Sequence, residues 1–551
     1  MDDKLFIIAI GGTGMRCLES FVHLCAAGMF DNKTIDILTL DTDQANGNKS
    51  RVENLIHQYN KVKTEGAQDP GGSPRTNTFF SAKLNLYRFA TDYSSAHRLN
   101  YRVLTEVNSA DAQARQDNRD LSDLFFDSQT VQDFDLSHGY RAQTHLGSLL
   151  MYHSIMEAAI KVKKGTEDVD RERPLTDFIQ LINQNSGGAR VFVFGSVFGG
   201  TGASSIPVIP LALKDALKVL TTGNNDLNLN NVKFGSTLLT DYFTFDMPDE
   251  QQLKKAKVIA DSNNFALNSQ AAMTFYDHDI TVQNNYKMLY HIGWSMENAD
   301  YSQDVSGEVV TGGEKQENAC HLVELMSASA AYDFFTREDL SNTKAKYVFR
   351  SVEESAPGTL RLTGASFMGK DGPIFEERLG SLLSLSHIIL SKYEGSRENS
   401  NGVENFLNDL KVRNVEDYED ITDEEARDIS IYLQEFAYKF KNGKFIPGWL
   451  HQINKSINGS FIFSPEALSD NSQIISKVDP GAIYNDPRYH WRSSRFAIKK
   501  ADSRFDKFIE MIKGKDALPN EEQGTTQKEK FLGHLFNAII KSQQTSHLTQ
   551  G

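Results

Sequence analysis

The sequence predicts an α/β protein built on a parallel, Rossmann-like sheet. Three observations carry that expectation. Leu5 to Ile10 is an unbroken apolar run, and Val191 to Phe194 is another. Each run meets the same tetrapeptide, Gly11-Gly12-Thr13-Gly14 in the first case and Gly199-Gly200-Thr201-Gly202 in the second. Each tetrapeptide then opens a segment with apolar residues at helical spacing. A run with no polar alternation reads as a strand covered on both faces, which is the habit of parallel sheets.

The first unit is β-α-β. After the first glycine turn, Leu18, Phe21, Val22, Cys25 and Met29 recur at helical spacing, and Gly28 with Asp31-Asn32 ends the helix. Ile35 to Leu40 is the next strand, closing at Asp41-Thr42-Asp43. Such a crossover is expected to be right-handed. Residues 44–137 are polar and yield only a helix near 50–62, followed by loops and short elements. A helix is expected from about Gln143 to Lys161, with Leu146, Leu149, Leu150, Met156, Ala159 and Ile160 inward.

After the second glycine turn one helix is expected, with Ile206, Ile209, Leu213, Ala216, Leu217 and Leu220 on one face. Pro207 and Pro210 fall in its first turns, where a missing N–H costs little. Val232 to Leu239 is a strand ending in Thr240 to Asp246, a helix covers about 249–277, and Met288 to Trp294 is a strand. A further helix is expected from Gly313 to Phe335, with Ala319, Leu322, Val323, Met326, Ala330 and Phe334 on one face.

The second half changes character. Strands are expected at Lys346 to Arg350, Thr359 to Thr363, Ser460 to Phe463 and Arg495 to Ile498, with a helix at about 374–393. Residues 394–442 read as an insertion, with an acidic run at 416–420 and a helix opened by a Thr422/Glu425 capping box. Ile429, Leu433, Phe436 and Phe440 form its stripe, and two more helices close the chain. The resulting division is 1–312, a nucleotide domain; 313–344, a central helix and its following loop; 345–498, a second α/β domain with the insertion; and 499–551, a helical tail.

Composition narrows the function classes. The 551 residues carry a net charge of −15, so nucleic acid is disfavoured as the main ligand. No apolar run approaches the roughly 18 residues of a membrane span. The start has no secretory pattern, and three cysteines (Cys17, Cys25, Cys320) cannot build a disulfide framework, so a cytoplasmic protein is expected. The cysteines lie on apolar helix faces and read as small buried hydrophobes.

The chemistry lies in the twin glycine turns. Glycine lets backbone N–H groups approach an anion, and a helix N-terminus adds unpaired donors and a positive dipole end. Two such turns at strand tips of one sheet would converge on one polyphosphate, with Thr13 and Thr201 adding hydroxyl donors. A tight strand-to-helix turn is the competing reading for either alone. No Walker loop is present. A Rossmann dinucleotide site would use Asp41 as its ribose acid, but the first turn lacks the third glycine and the second turn is left without a role.

Both loops together resemble the tubulin/FtsZ superfamily. Phe194 to Ser205 is similar to its signature glycine loop, and Ile10 to Gly14 to its first phosphate loop. Leu40 to Ala45 resembles the second loop of FtsZ, Gly139-Tyr140-Arg141 the third, and Thr240 to Asp246 the ribose-side loop. The helix from Gly313, with Gln316 and Asn318 in its first turn, resembles the central helix that reads the base. The likeness covers about residues 4–340, most tightly 4–45 and 186–250, and points to the divergent bacterial tubulin-like proteins.

The resemblance implies a purine nucleotide, GTP or GDP with ATP not excluded, held with Mg²⁺, and subunits stacked head to tail. Arg141 would touch the terminal phosphate, Asp41 or Asp43 the metal or its waters, Asp246 the ribose and Asn318 the base. The family hydrolyses nucleotide with a carboxylate from the next subunit, in a GxxNxD-type motif that this chain lacks. Glu338 and Asp339 are the carboxylates in the expected place. The family's arginine after the ribose acid is also missing from Met247 to Glu250.

Two other classes stay open: a non-hydrolysing scaffold that recruits protein partners through its insertion or tail, and a dinucleotide-dependent oxidoreductase built on residues 5–43. Cys320, His321 and Glu324 lack a further ligand pair for a metal, and Ser204 lacks the closing glycine of a hydrolase elbow. The basic-aromatic stretch from His490 to Arg504 reads as a solvated face or subunit contact.

Overall fold

The structure, a computed structural model, describes residues 4–43, 46–63, 71–90, 144–221, 228–243, 261–294, 319–349, 364–390, 421–441, 444–455 and 504–544, with a few single residues and short pieces between them. In chain order, β1 (Lys4–Ile10) runs straight into α1 (Gly11–Ala26), followed by β2 (Thr34–Asp41), α2 (Gly47–Lys63) and β3 (Lys83–Ala90). Next come α3 (Thr144–Lys164), α4 (Glu172–Gln184), β4 (Ala189–Phe194), the single-turn α5 (Thr201–Ser205) and α6 (Ile209–Leu220). β5 (Lys233–Leu239), α7 (Phe265–His278), α8 (Ile280–Asn285), β6 (Tyr286–Ile292), α9 (Leu322–Thr336) and β7 (Lys346–Phe349) complete the sheet and its covers.

The seven strands form one sheet in the order β3-β2-β1-β4-β5-β6-β7, and every pairing is parallel. Strand alternation divides β1 between two cores. Leu5, Ile7 and Ala9 face α1, α2 and α9; Phe6, Ile8 and Ile10 face α3, α4 and α6. That is why the run has no polar residue to mark a face. Gly235 in β5 leaves room for the Phe334 ring, whose carbon lies 2.7 Å from where a Cβ would stand. Helix α9 therefore lies close against the sheet and is buried on nearly all sides.

Most helices of the described second half pack into the α1 side of this core. That half comprises β8 (Glu354–Ala356) with β9 (Thr359–Leu360), α10 (Gly364–Met368), α11 (Gly372–Ile388), α12 (Asp423–Phe436), β10 (Tyr438–Lys441) with β11 (Lys444–Pro447), α13 (Trp449–Lys455), α14 (Arg504–Lys513) and α15 (Gln527–Gln544). Trp449 is fully buried and donates its indole N–H to Ser20 Oγ of α1 at 2.9 Å. Arg75, before β3, makes a two-pronged contact with Glu529 of α15 at 3.2 and 2.8 Å. No described helix is long and apolar enough to cross a membrane.

Several elements depart from the sequence reading. Strand β3 goes unread although Leu84 and Leu86 alternate with polar residues, a strand signal that suits its place at the sheet edge. Helix α4 is also missed, although Leu175, Phe178, Ile179 and Ile182 mark a clear apolar face. The helix after the second glycine turn is two helices, broken at 206–208, where Pro207 has no N–H to continue the ladder. Helix α9 begins at Leu322, not Gly313, because His321 and Glu324 form a capping box there. Lys346–Phe349 pairs with β6 and belongs to the main sheet. Helix α12 keeps its Thr422/Glu425 box but ends at Phe436, so Phe440 lies in a strand. The expected strands at 460–463 and 495–498 lie outside the described residues.

Candidate functional site

The two glycine turns meet. Gly11 follows the last residue of β1 directly, and its φ of +66° suits a residue without a Cβ. A Cβ on Gly11 would stand 3.2 Å from Thr201 Cβ and 3.8 Å from the Gly202 nitrogen. A Cβ on Gly14 would come 2.5 Å from the Phe194 carbonyl oxygen, and one on Gly202 would come 2.6 Å from the Ser196 oxygen. Small residues at these points let the start of α1 and the start of α5 interlock at adjacent strand tips.

Their place in the sheet matters. β1 and β4 are neighbours, yet α1 leaves to one face while α5 and α6 leave to the other. This is the switch point at which open parallel sheets form a crevice at the carboxyl ends of their strands. Neither helix start is capped by a side chain, and neither first turn holds an acid. The opening N–H groups of α1 have no intrahelical acceptor. Gly12, Thr13, Gly199 and Gly200 are half-buried, while Gly11, Gly14, Thr201 and Gly202 are buried.

The one-turn helix α5 is too short to hold itself. Ser148 of α3 donates to the Ser204 carbonyl at 2.7 Å, Tyr276 of α7 donates to Ala203, and Tyr286 of β6 donates to Ile206 at 2.6 Å. Three outside hydroxyls thus take two of its carbonyls and that of its C-cap, Ile206, and hold the short helix in place. Beside it, Phe198 packs edge-on against Tyr242 and Phe243 and at a tilt against Phe265, an aromatic wall between the second glycine turn and the tip of β5.

At the tip of β2, Asp41 and Asp43 are both buried. Asp41 Oδ1 accepts from the Asp43 N–H at 3.2 Å, while Oδ2 is buried with no hydrogen-bond partner among the described residues. Burial pushes the Asp41 carboxyl up to about 7. In the loop after β5, Asp241 accepts from Ser269 Oγ at 3.2 Å.

A buried polar group stands behind the first turn that sequence reasoning did not find. Arg16 pairs with Glu324 at the start of α9 and also donates to the Ala319 carbonyl. Tyr242 donates to Glu324 Oε1 at 2.7 Å, and the His321 N–H donates to Oε2 at 3.0 Å. Arg51 bridges Glu19 at 2.6 Å beside it. The available signal was a charged residue on the otherwise apolar face of α1. The Cys320-His321-Glu324 group is thus a helix cap and ion pair. Among the described residues no group of three or more His, Cys, Asp or Glu could hold a metal. None of the three cysteines forms a disulfide, all are buried, and burial pushes the Cys17 thiol up to about 12.

Glu338 and Asp339 do not join the glycine turns. They are exposed in the loop after α9, at the opposite end of the sheet, where β4 and β6 begin. A six-residue strand such as β4 spans about 20 Å. Gly139, Arg141, Asp246, Gln316 and Asn318 lie outside the described residues.

No protein-family model and no curated protein matches this chain.

Proposed function

We propose that the chain binds a purine nucleoside triphosphate, GTP foremost, in the manner of the bacterial tubulin-like proteins it resembles, and that copies stack head to tail. The observation that carries the reading is the abutment of Gly11 on Thr201 at the β1/β4 switch point. One glycine turn is a common way to enter a helix. Two identical turns interlocked at neighbouring strand tips bring two sets of backbone donors to one place, which is what a polyphosphate tail requires.

Mg²⁺, when bound, neutralises phosphate charge. Asp41, whose Oδ2 is buried without a hydrogen-bond partner among the described residues, and Asp43 are this chain's candidates for it or its waters. The expected base and ribose contacts, Asn318, Gln316 and Asp246, complete the reading together with Gly139 and Arg141. Since Glu338 and Asp339 lie a strand's length from the glycine turns, hydrolysis would need the loop of the next subunit.

Mass analysis of the small molecule released from denatured, purified protein tests the reading, followed by titration with GTP and ATP. A released purine nucleotide and micromolar or tighter binding support it; neither being found overturns it. A scaffold that binds nucleotide without turnover is a second reading, favoured by Asp339, whose carboxylate is taken up within its own turn by Ser341 at 2.6 and 3.0 Å. Phosphate release measured against protein concentration separates the two, because catalysis across subunits rises more steeply than linearly. A dinucleotide oxidoreductase would use only the first turn; loss of all ligand binding in Gly199→Ala counts against it.

A further inference from the structure

We propose that Arg190 is a positioning residue: it fixes the loop after α9 so that the loop can complete the glycine-turn site of a second copy of the chain. The proposal rests on the nucleotide reading above and adds the device that would make the junction competent.

Arg190 is the one charged side chain in β4, whose sequence is otherwise Ala, Val and Phe. It is 6% exposed, and a guanidinium at that depth is costly unless its donors are satisfied. Its Nη1 donates to the carbonyls of Phe334 at 3.0 Å, Phe335 at 3.1 Å and Arg337 at 2.7 Å. The first two belong to the last turn of α9, where carbonyls lack intrahelical donors and the dipole favours a cation. Arg337 is the C-cap, with extended backbone, so the third bond sets the direction in which the chain leaves the helix.

The rest of the loop is held as firmly. Arg337 pairs with Asp333 at 2.6 Å, and Tyr290 of β6 donates to the same carboxylate. Leu340 is buried in the core. Asn342 Nδ2 donates to the Lys287 carbonyl at 2.8 Å, and Lys287 Nζ donates to the Asn342 carbonyl at 2.7 Å. Between these anchors Glu338 and Asp339 project to solvent. A loop pinned at both ends and displaying the Glu338 carboxylate, with Asp339 held by Ser341, is preorganised for a partner. Its own glycine turns are at the far end of β4, so the matching partner is another copy. At that junction a water oxygen would attack the terminal phosphorus, the bridging oxygen would leave with the nucleoside diphosphate, and the Glu338 carboxylate would take the water's proton.

The test compares Arg190→Met, Arg190→Lys and Asn342→Ala with the full-length wild-type chain. GTP affinity should stay within about twofold in all three, because the glycine turns are untouched, while phosphate release per subunit falls at least tenfold in Arg190→Met and less in Arg190→Lys. Mixing Arg190→Met with Gly199→Ala should restore release above the sum of the two alone. The first brings an intact pocket and the second an intact loop, a rescue that a merely stabilising role would not produce. If Arg190→Met does not fold, Asn342→Ala carries the same affinity, release and mixing comparison. Wild-type release in the folded variant, or no rescue on mixing, overturns the inference. Wild-type protein that binds GTP but releases no phosphate at any concentration also overturns it, leaving the nucleotide reading intact; failure of the wild type to bind any purine nucleotide is instead the failure of that reading.

Discussion

Arg16 of α1 and Glu324 of α9 form an ion pair in which the two side chains are 4% and 0% exposed. The pair joins the helix opened by the first glycine turn to the helix that crosses behind the sheet. Removing one member of a buried pair leaves a charge in a low-dielectric place and costs about 3–5 kcal/mol. Glu324→Gln keeps an acceptor for Tyr242 but loses the charge and replaces the oxygen that takes the His321 N–H with an amide donor. It should lower the urea midpoint with little change in slope, and Arg16→Met in the same chain should recover part of the loss.

The glycines of the second turn should separate folding from binding. A Cβ at Gly202 meets the Ser196 backbone at 2.6 and 2.8 Å, so Gly202→Ala should destabilise by about 1–3 kcal/mol. A Cβ at Gly199 meets only Ser196 Oγ at 3.3 Å. Gly199→Ala should therefore melt within a degree or two of wild type yet lose GTP affinity at least tenfold, read by calorimetry. Equal affinity in a folded Gly199→Ala would remove that turn from the site.

Acid should weaken the fold through histidines. His23, His321 and His534 are buried, and burial holds them below the ordinary imidazole range, to about 3 for His321 and about 4 for His534. The unfolded chain takes up these protons near pH 6.5 and the folded chain does not, so stability present above that pH is lost as pH falls through 6 to 4. His321→Asn, which keeps a capping side chain, should flatten the fall between pH 6.5 and 4 in urea titrations.

Asp41 acts with the opposite sign. Its folded carboxyl titrates near 7, well above an unfolded aspartate, so the stability it contributes is present in acid and lost as pH rises from 4 to 7. Asp41→Asn in the nucleotide-free protein should therefore be more stable than wild type at pH 8 and no more stable at pH 4. Thermal melts at the two values check the crossover.

Thr422 and Glu425 exchange hydrogen bonds at 3.2 and 3.0 Å to open α12. Thr422→Ala should cost about 1 kcal/mol, seen as a small fall in the urea midpoint.

Much of the frame was legible because its signals are local. β1 and β4 are apolar runs beside glycine turns, β2, β5 and β6 keep apolar residues among a few polar ones between turns, and the Thr422/Glu425 box is a four-residue pattern. β3 was overlooked inside a long polar stretch, although Lys83, Asn85 and Arg88 among apolar residues give it the near-alternation of an edge strand. The start of α9 was misread because Ala319 fits the helical stripe, while the cap that ends the loop is made by His321 and Glu324. Of the site, the twin tetrapeptides were visible, and the pinning of the Glu338 loop by Arg190 was not.

By itself, the order of residues determined the α/β class, the parallel strands and the two glycine entries to helices, since each depends on neighbours a few positions apart. Tertiary structure alone decided that Gly11 rests on Thr201, that Arg16 finds Glu324, and that Glu338 lies at the far end of the sheet from both turns. Those relationships join residues far apart in the chain. They are set by strand order and by which face each helix covers, quantities that no local periodicity encodes.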